Sequence, residues 1–149
     1  MTRTGYGFAA VMIVLMTAGC DESLKEFAGP TPNLEPTFSS IQRDIFSATD
    51  AAGRVACTGC HTNVGRTPAS GLNLGDASTY AALVNRPSVG KPSAVRIIPG
   101  DPDNSYLIQK IEGAAGIVGE RMPRTAGPFL TDNQIFIIRR WIELGAPNN

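Results

Sequence analysis

The chain has 149 residues, with 13 basic against 13 acidic side chains, one histidine and three cysteines. That length holds one domain plus terminal extensions, and the balanced charge excludes the strongly basic field of a nucleic-acid or membrane-surface binder. Sixteen glycines and 11 prolines favour short helices joined by long turns over a tight bundle.

In chain order, residues 1–19 read as a secretory signal. Arg3 gives the positive start, Phe8 to Met16 the apolar run, and Thr17-Ala18-Gly19 the small residues before Cys20. The run is shorter than the roughly 20 residues that span a bilayer. Small residues ending in Gly-Cys resemble the bacterial lipobox, in which the cysteine becomes a lipid-modified first residue. Thr17 departs from that pattern, which has Leu or Val there. Cys20 is thus the predicted lipidation site, and acyl chains adding about 0.8 kcal/mol per buried CH₂ would anchor it. Residues 20–36, with Pro30, Pro32 and Pro36 among polar side chains, read as a semi-extended tether. A domain over 37–149 follows.

The first helix is predicted from Ser39 to about Thr49, with a Ser39/Gln42 capping box and Phe38, Ile41, Ile45 and Phe46 on one face. It leads into Cys57-Thr58-Gly59-Cys60-His61. C-x-x-C-H is the covalent attachment signature of c-type haem. Two intervening residues let both sulfurs reach the vinyl groups on one edge of a porphyrin, and the next residue swings beneath the ring. Cys57 and Cys60 are therefore the predicted thioether anchors and His61 the proximal iron ligand, on a short helical turn. A thioredoxin-like redox pair belongs beside a βαβ pattern, which this chain lacks. A structural zinc site needs four ligands, and only three residues group here. The thiols balance: Cys20 for lipid, Cys57 and Cys60 for one haem c.

Residues 62–75 read as loop. Pro68 is a candidate wall of the proximal pocket whose carbonyl accepts the other ring N–H of His61, fixing its tautomer as outer partners do; an ordinary turn proline is the plainer alternative. A helix is expected over Ser78–Asn85, stopped by Pro87, then an extended piece over Val95–Ile98 and a turn over 99–102. Asp103 or Asn104 should cap a helix through Glu112, closed by Gly113. The last helix carries the strongest signals. Thr131 and Gln134 form a capping box, Leu130 and Ile135 a staple, and Ile135, Ile138, Trp141 and Ile142 the buried face.

Met122 is the one methionine outside the leader, and the chain has no second histidine. Pro123 biases it toward extended backbone, in a polar, turn-forming stretch that argues against a gap-filling core role. Met122 is therefore the predicted distal iron ligand. Arg121 and Arg124 are either propionate neighbours or solvated loop charges.

Together, C-T-G-C-H, the later R-M-P, P-G-D-P-D-N-S-Y-L-I-Q-K-I and F-L-T-D-N-Q-I-F-I-I-R-R-W-I-E-L-G-A resemble a class I monohaem cytochrome c, more narrowly the cytochrome c domains common in planctomycetes. The similarity covers about residues 38–147. It implies an all-α fold of short helices and long loops wrapped around one haem, with the first and last helices in contact between the Ile45/Phe46 and Trp141 regions. It also implies a His61/Met122 ligand pair. Such a pair raises the haem potential and leaves iron no open position. The expected function is thus electron transfer between redox protein partners, not enzymatic catalysis, in an exported protein held by its lipid on the periplasmic side of a bacterial membrane. A sensor or peroxidase-like protein whose distal methionine dissociates is the alternative, though no second histidine is present for acid–base work. A recruiting module with haem as mere core is the third reading.

Overall fold

The computed structural model describes residues 1, 34–124 and 128–149. The predicted leader, Cys20 and most of the tether lie outside the described residues. Among the described residues there are helices, short 3₁₀ turns and isolated bridges but no strand, as an all-α reading requires. No described helix is long and apolar enough to cross a membrane.

Thr37, extended at φ −120°, caps helix α1 (Phe38–Ile41) by accepting the Ser40 amide on Oγ1 at 3.2 Å. The predicted Ser39/Gln42 box does not form, because the hydroxyl two residues earlier takes the cap. Gln42 stays half-buried instead: its Nε2 donates to the Leu74 carbonyl at 2.7 Å, while its Oε1 is buried without a partner among the described residues. The helix continues as a π turn over Gln42–Phe46, closed by the Ser47 amide on the Gln42 carbonyl at 3.0 Å. The wider turn still buries Ile41, Ile45 and Phe46. The packed body reaches back to Leu34, which is half-buried against the core, and the Glu35 amide donates to Ser40 Oγ at 3.0 Å.

Helix α2 (Thr79–Leu83) is shorter than expected. Val84 leaves it to bridge Ile97, and Asn85 takes φ +55°, which ends the helix before Pro87 can. Val95 bridges Pro87, so the expected extended piece is present as isolated bridges. Helix α3 (Tyr106–Glu112) starts from Ser105 rather than Asp103 or Asn104. Ser105 Oγ is used on the preceding turn, donating to the Asp101 carbonyl at 2.7 Å and accepting the Ile98 amide at 2.9 Å. Gly113 closes α3 at φ +75°, and a Cβ there would stand 2.9 Å from Arg121 Cδ. Backbone and space both require glycine.

Helix α4 (Asp132–Glu143) forms as predicted, with both arms of the Thr131/Gln134 capping box made. It buries Ile135, Ile138, Trp141 and Ile142, and adds Ile137 and Gln134. Trp141 is fully buried, and its Nε1 donates to the Pro147 carbonyl at 2.8 Å. The first and last helices meet through Phe38, whose ring lies 5.7 Å from that of Trp141 and 5.3 Å, edge to face, from that of Tyr80. Ile45 and Phe46 join Trp141 in one core cluster, while the direct aromatic contact is made earlier on the helix. Arg139 ties α4 to α3 through Glu112, at 3.1 Å, and to Asp103 in the turn before it.

Candidate haem-attachment site

The motif follows the end of the first helix through a turn built by Asp50 and Arg54. Asp50 Oδ1 accepts the Ala52 and Arg54 amides, each at 3.0 Å. Cys57–Gly59 then forms a 3₁₀ turn, and the His61 amide donates to the Cys57 carbonyl at 2.9 Å. The expected short helical turn thus brings His61 back beside Cys57. Three further carbonyls of the motif are held from the following loop. Gly59 O accepts Arg66 Nη1 at 2.8 Å, Cys60 O the Ala69 amide at 3.1 Å and His61 O the Leu74 amide at 2.8 Å.

His61 is half-buried, and its Nδ1 lies 3.2 Å from the Leu72 carbonyl. A carbonyl only accepts, so this contact places the proton on Nδ1 and leaves Nε2 with its lone pair, the form that binds a metal. The orienting partner is therefore Leu72, not Pro68. The Pro68 carbonyl accepts the Gly71 amide at 3.0 Å in a local 3₁₀ turn, which takes it away from the ring. Burial pushes the His61 imidazole below its ordinary range, and the Leu72 and Ala69 carbonyls oppose the shift.

Cys57 and Cys60 are free thiols, the first half-buried and the second exposed. Cys57 Sγ is 3.9 Å from both the Ile45 carbonyl and Arg54 Nη1. Burial raises the Cys57 thiol, while the Arg54 charge pulls it down.

Met122 is half-buried, and its amide donates to the Lys110 carbonyl at 2.8 Å. Its side chain packs against the same core cluster as Cys57 and Leu72. The polar character of its neighbours thus does not keep it off the core. Those neighbours are themselves engaged: Lys110 Nζ donates to the Val118 carbonyl at 3.0 Å and to the Glu120 carbonyl. Arg121 donates to the Ile111 carbonyl at 2.7 Å and lies 4.0 Å from the centroid of the Phe129 ring. Arg124 pairs with Glu120 at 3.4 Å, both well exposed.

Two arginines escaped the sequence reading. Arg54 has no solvent exposure at all, and nothing in a Gly-Arg-Val turn announces that. Arg96 is half-buried, donates to the Ala82 carbonyl at 2.7 Å, and its charge is felt at His61. Burial and the neighbouring Arg86 charge both push the Arg96 guanidinium down. Neither Arg86 nor Arg96 is paired with a carboxylate among the described residues. An open groove of about 360 Å³ beside α4, lined by Glu112, Arg121, Asp132, Ile135, Phe136 and Arg139, contains none of Cys57, Cys60, His61 or Met122.

The donor set suits a covalently held haem: two unbridged thiols at the required spacing, one exposed, and a histidine already fixed in its metal-binding tautomer. No family model matches this chain, and no curated protein or solved structure matches it either.

Proposed function

We propose that this chain is a monohaem c-type cytochrome of class I type, an exported electron carrier lipid-anchored through Cys20 on the periplasmic side of a bacterial membrane. The observation that carries the reading is the contact of His61 Nδ1 with the Leu72 carbonyl beside the short turn of C-x-x-C-H, an arrangement that favours the tautomer with Nε2 free. Cys57 and Cys60 would hold the haem as thioethers, each Sγ bonding to one vinyl carbon while its hydrogen goes to the neighbouring carbon. His61 Nε2 would be the proximal ligand and Met122 Sδ the distal one. Bound there, the haem supplies a one-electron couple.

The chain's own residues have three tasks in this scheme. The Leu72 carbonyl holds the imidazole in one tautomer and makes it a better donor. The core cluster behind Cys57, Leu72 and Met122 excludes water from one side of the site. Arg96, a half-buried cation with no carboxylate partner among the described residues, suits a propionate better than Arg121, which is engaged by the Ile111 carbonyl and the Phe129 ring, or Arg124, which pairs with Glu120. Redox proteins would be the donor and acceptor.

The test is to express the full chain in a host that exports it and matures c-type cytochromes. Haem should stay with the polypeptide through acid denaturation and solvent extraction, and should be lost from the Cys57→Ala/Cys60→Ala variant. The oxidised wild type should show a near-infrared sulfur-to-iron band that Met122→Ala removes. Colour that leaves the denatured wild type would overturn the reading, and an unchanged low-spin spectrum in Met122→Ala would remove the distal assignment.

A further inference from the structure

Arg54 is an expensive residue to bury. A guanidinium carries five N–H donors and a permanent charge, and such a group is almost never fully buried unless paired. Here its Nε meets Asp50 Oδ2 at 3.1 Å, while Nη2 donates to the Ile45 carbonyl at 3.1 Å and the Ala48 carbonyl at 3.3 Å. Nη1 donates to the Val55 carbonyl at 3.2 Å and lies 3.9 Å from Cys57 Sγ. The Ile45 carbonyl stands at the C-terminal end of the π turn, where helix carbonyls lack internal partners and a cation is favoured. One side chain therefore joins the end of the first helix, the turn before the motif and the first anchoring sulfur.

The arrangement is directional. Asp50 occupies the Nε edge of the guanidinium and Cys57 Sγ the Nη1 side. The guanidinium thus sets its own charge against the sulfur that would carry the macrocycle, with the carboxylate on its other side. Low effective dielectric strengthens that field relative to a surface charge.

We infer that Arg54 is a positioning residue for the haem of the cytochrome proposed above, fixing Cys57 for attachment and, through its buried charge, raising the reduction potential. The inference rests on that reading. Reduction of the bound group would add one electron to it, and a fixed cation against its anchoring sulfur would stabilise the reduced form. Asp50 acts in the opposite sense.

The experiment is a spectroscopic redox titration of mature full-length Arg54→Met, Arg54→Lys and Asp50→Asn, with mass spectrometry to count thioethers. At a fixed applied potential the reduced-to-oxidised ratio should fall about tenfold in Arg54→Met, equivalent to about 59 mV for one electron. It should stay within about twofold of wild type in Arg54→Lys, which keeps the charge, and rise in Asp50→Asn. A merely structural role for Arg54 would not move the two charge-changing variants in opposite directions. Loss of the Cys57 thioether in Arg54→Met, with the Cys60 thioether kept, also supports the positioning role. A ratio unchanged in both Arg54→Met and Asp50→Asn overturns the inference while leaving the cytochrome reading intact. Should Arg54→Met yield no holoprotein, the sign of the Asp50→Asn shift decides, and a fall there overturns it. Wild type without covalent haem overturns the reading beneath and this inference with it.

Discussion

Two regions of the described chain are stabilised by different physics. Around α4, apolar area does the work: Ile138, Trp141 and Ile142 are fully buried, with Phe38, Tyr80 and Ile45 against the same cluster. Around the C-x-x-C-H turn, residues 58–73 include no buried side chain, and the segment is held by hydrogen bonds from Arg66, Ala69, Leu74 and Gln42. The first region fixes a scaffold whose cost of disruption scales with volume removed. The second holds the backbone of the motif while leaving Cys60 open at the surface. A sulfur enclosed like Trp141 would be well packed and unreachable.

The sharpest way to break that contrast is Trp141→Ala. It removes the largest fully buried side chain along with the hydrogen bond to the Pro147 carbonyl. The expected loss is about 3–5 kcal/mol of unfolding free energy, read from the midpoint of denaturant unfolding at constant slope. A loss below about 1 kcal/mol would mean that the α4 cluster is not the seat of stability. A smaller effect is expected at the same helix's entrance. Thr131→Ala removes the cap on the Gln134 amide and should cost about 0.5–2 kcal/mol, with Thr131→Ser restoring most of it. An alanine variant as stable as wild type would show that the capping box is geometric rather than energetic.

The same contrast explains what could be read from the residues alone. The α4 cap and its buried face are encoded by residue types at fixed spacing, and both appear. The short turn through C-x-x-C-H was legible for the same reason. Pro68 was not, because the acceptor that orients His61 is a backbone carbonyl. Every residue has one, so the identity of Leu72 carries no signal for it. The first helix began two residues early because Thr37, Ser39 and Ser40 all offer hydroxyls, and only the extended backbone at Thr37 decides which one caps. Arg54 was missed because an arginine in a turn is normally solvated. Its burial depends on carbonyls 6 and 9 residues earlier that only the folded turn brings together. Met122 packs on the core although its sequence neighbours are polar, since those neighbours are taken up by Lys110, Phe129 and the Ile111 carbonyl.

The smallest effect probes the hydrogen-bonded half directly. Asp76, exposed at the end of the motif loop, accepts Ser78 Oγ at 2.5 Å, the Ser78 amide at 2.8 Å, Asn73 Nδ2 at 2.5 Å and Asn63 Nδ2 at 3.5 Å. These bonds, the Ser78 hydroxyl foremost, hold its carboxyl below the ordinary aspartate range. A carboxylate depressed in the folded state binds fewer protons there than in the open chain. Its contribution is therefore complete above the unfolded value of about 3.9 and is lost as pH falls through the lower folded value. Amide exchange at Ser78 and Thr79, corrected for intrinsic rates, should accelerate over that acidic window, and Asp76→Asn should flatten the step. Amides of α4 should show no matching step there, because their protection comes from apolar burial rather than from this carboxylate. An Asp76 titration midpoint at or above the ordinary value would mean that the four donors do not hold the carboxylate, and that the motif loop owes its shape to packing after all.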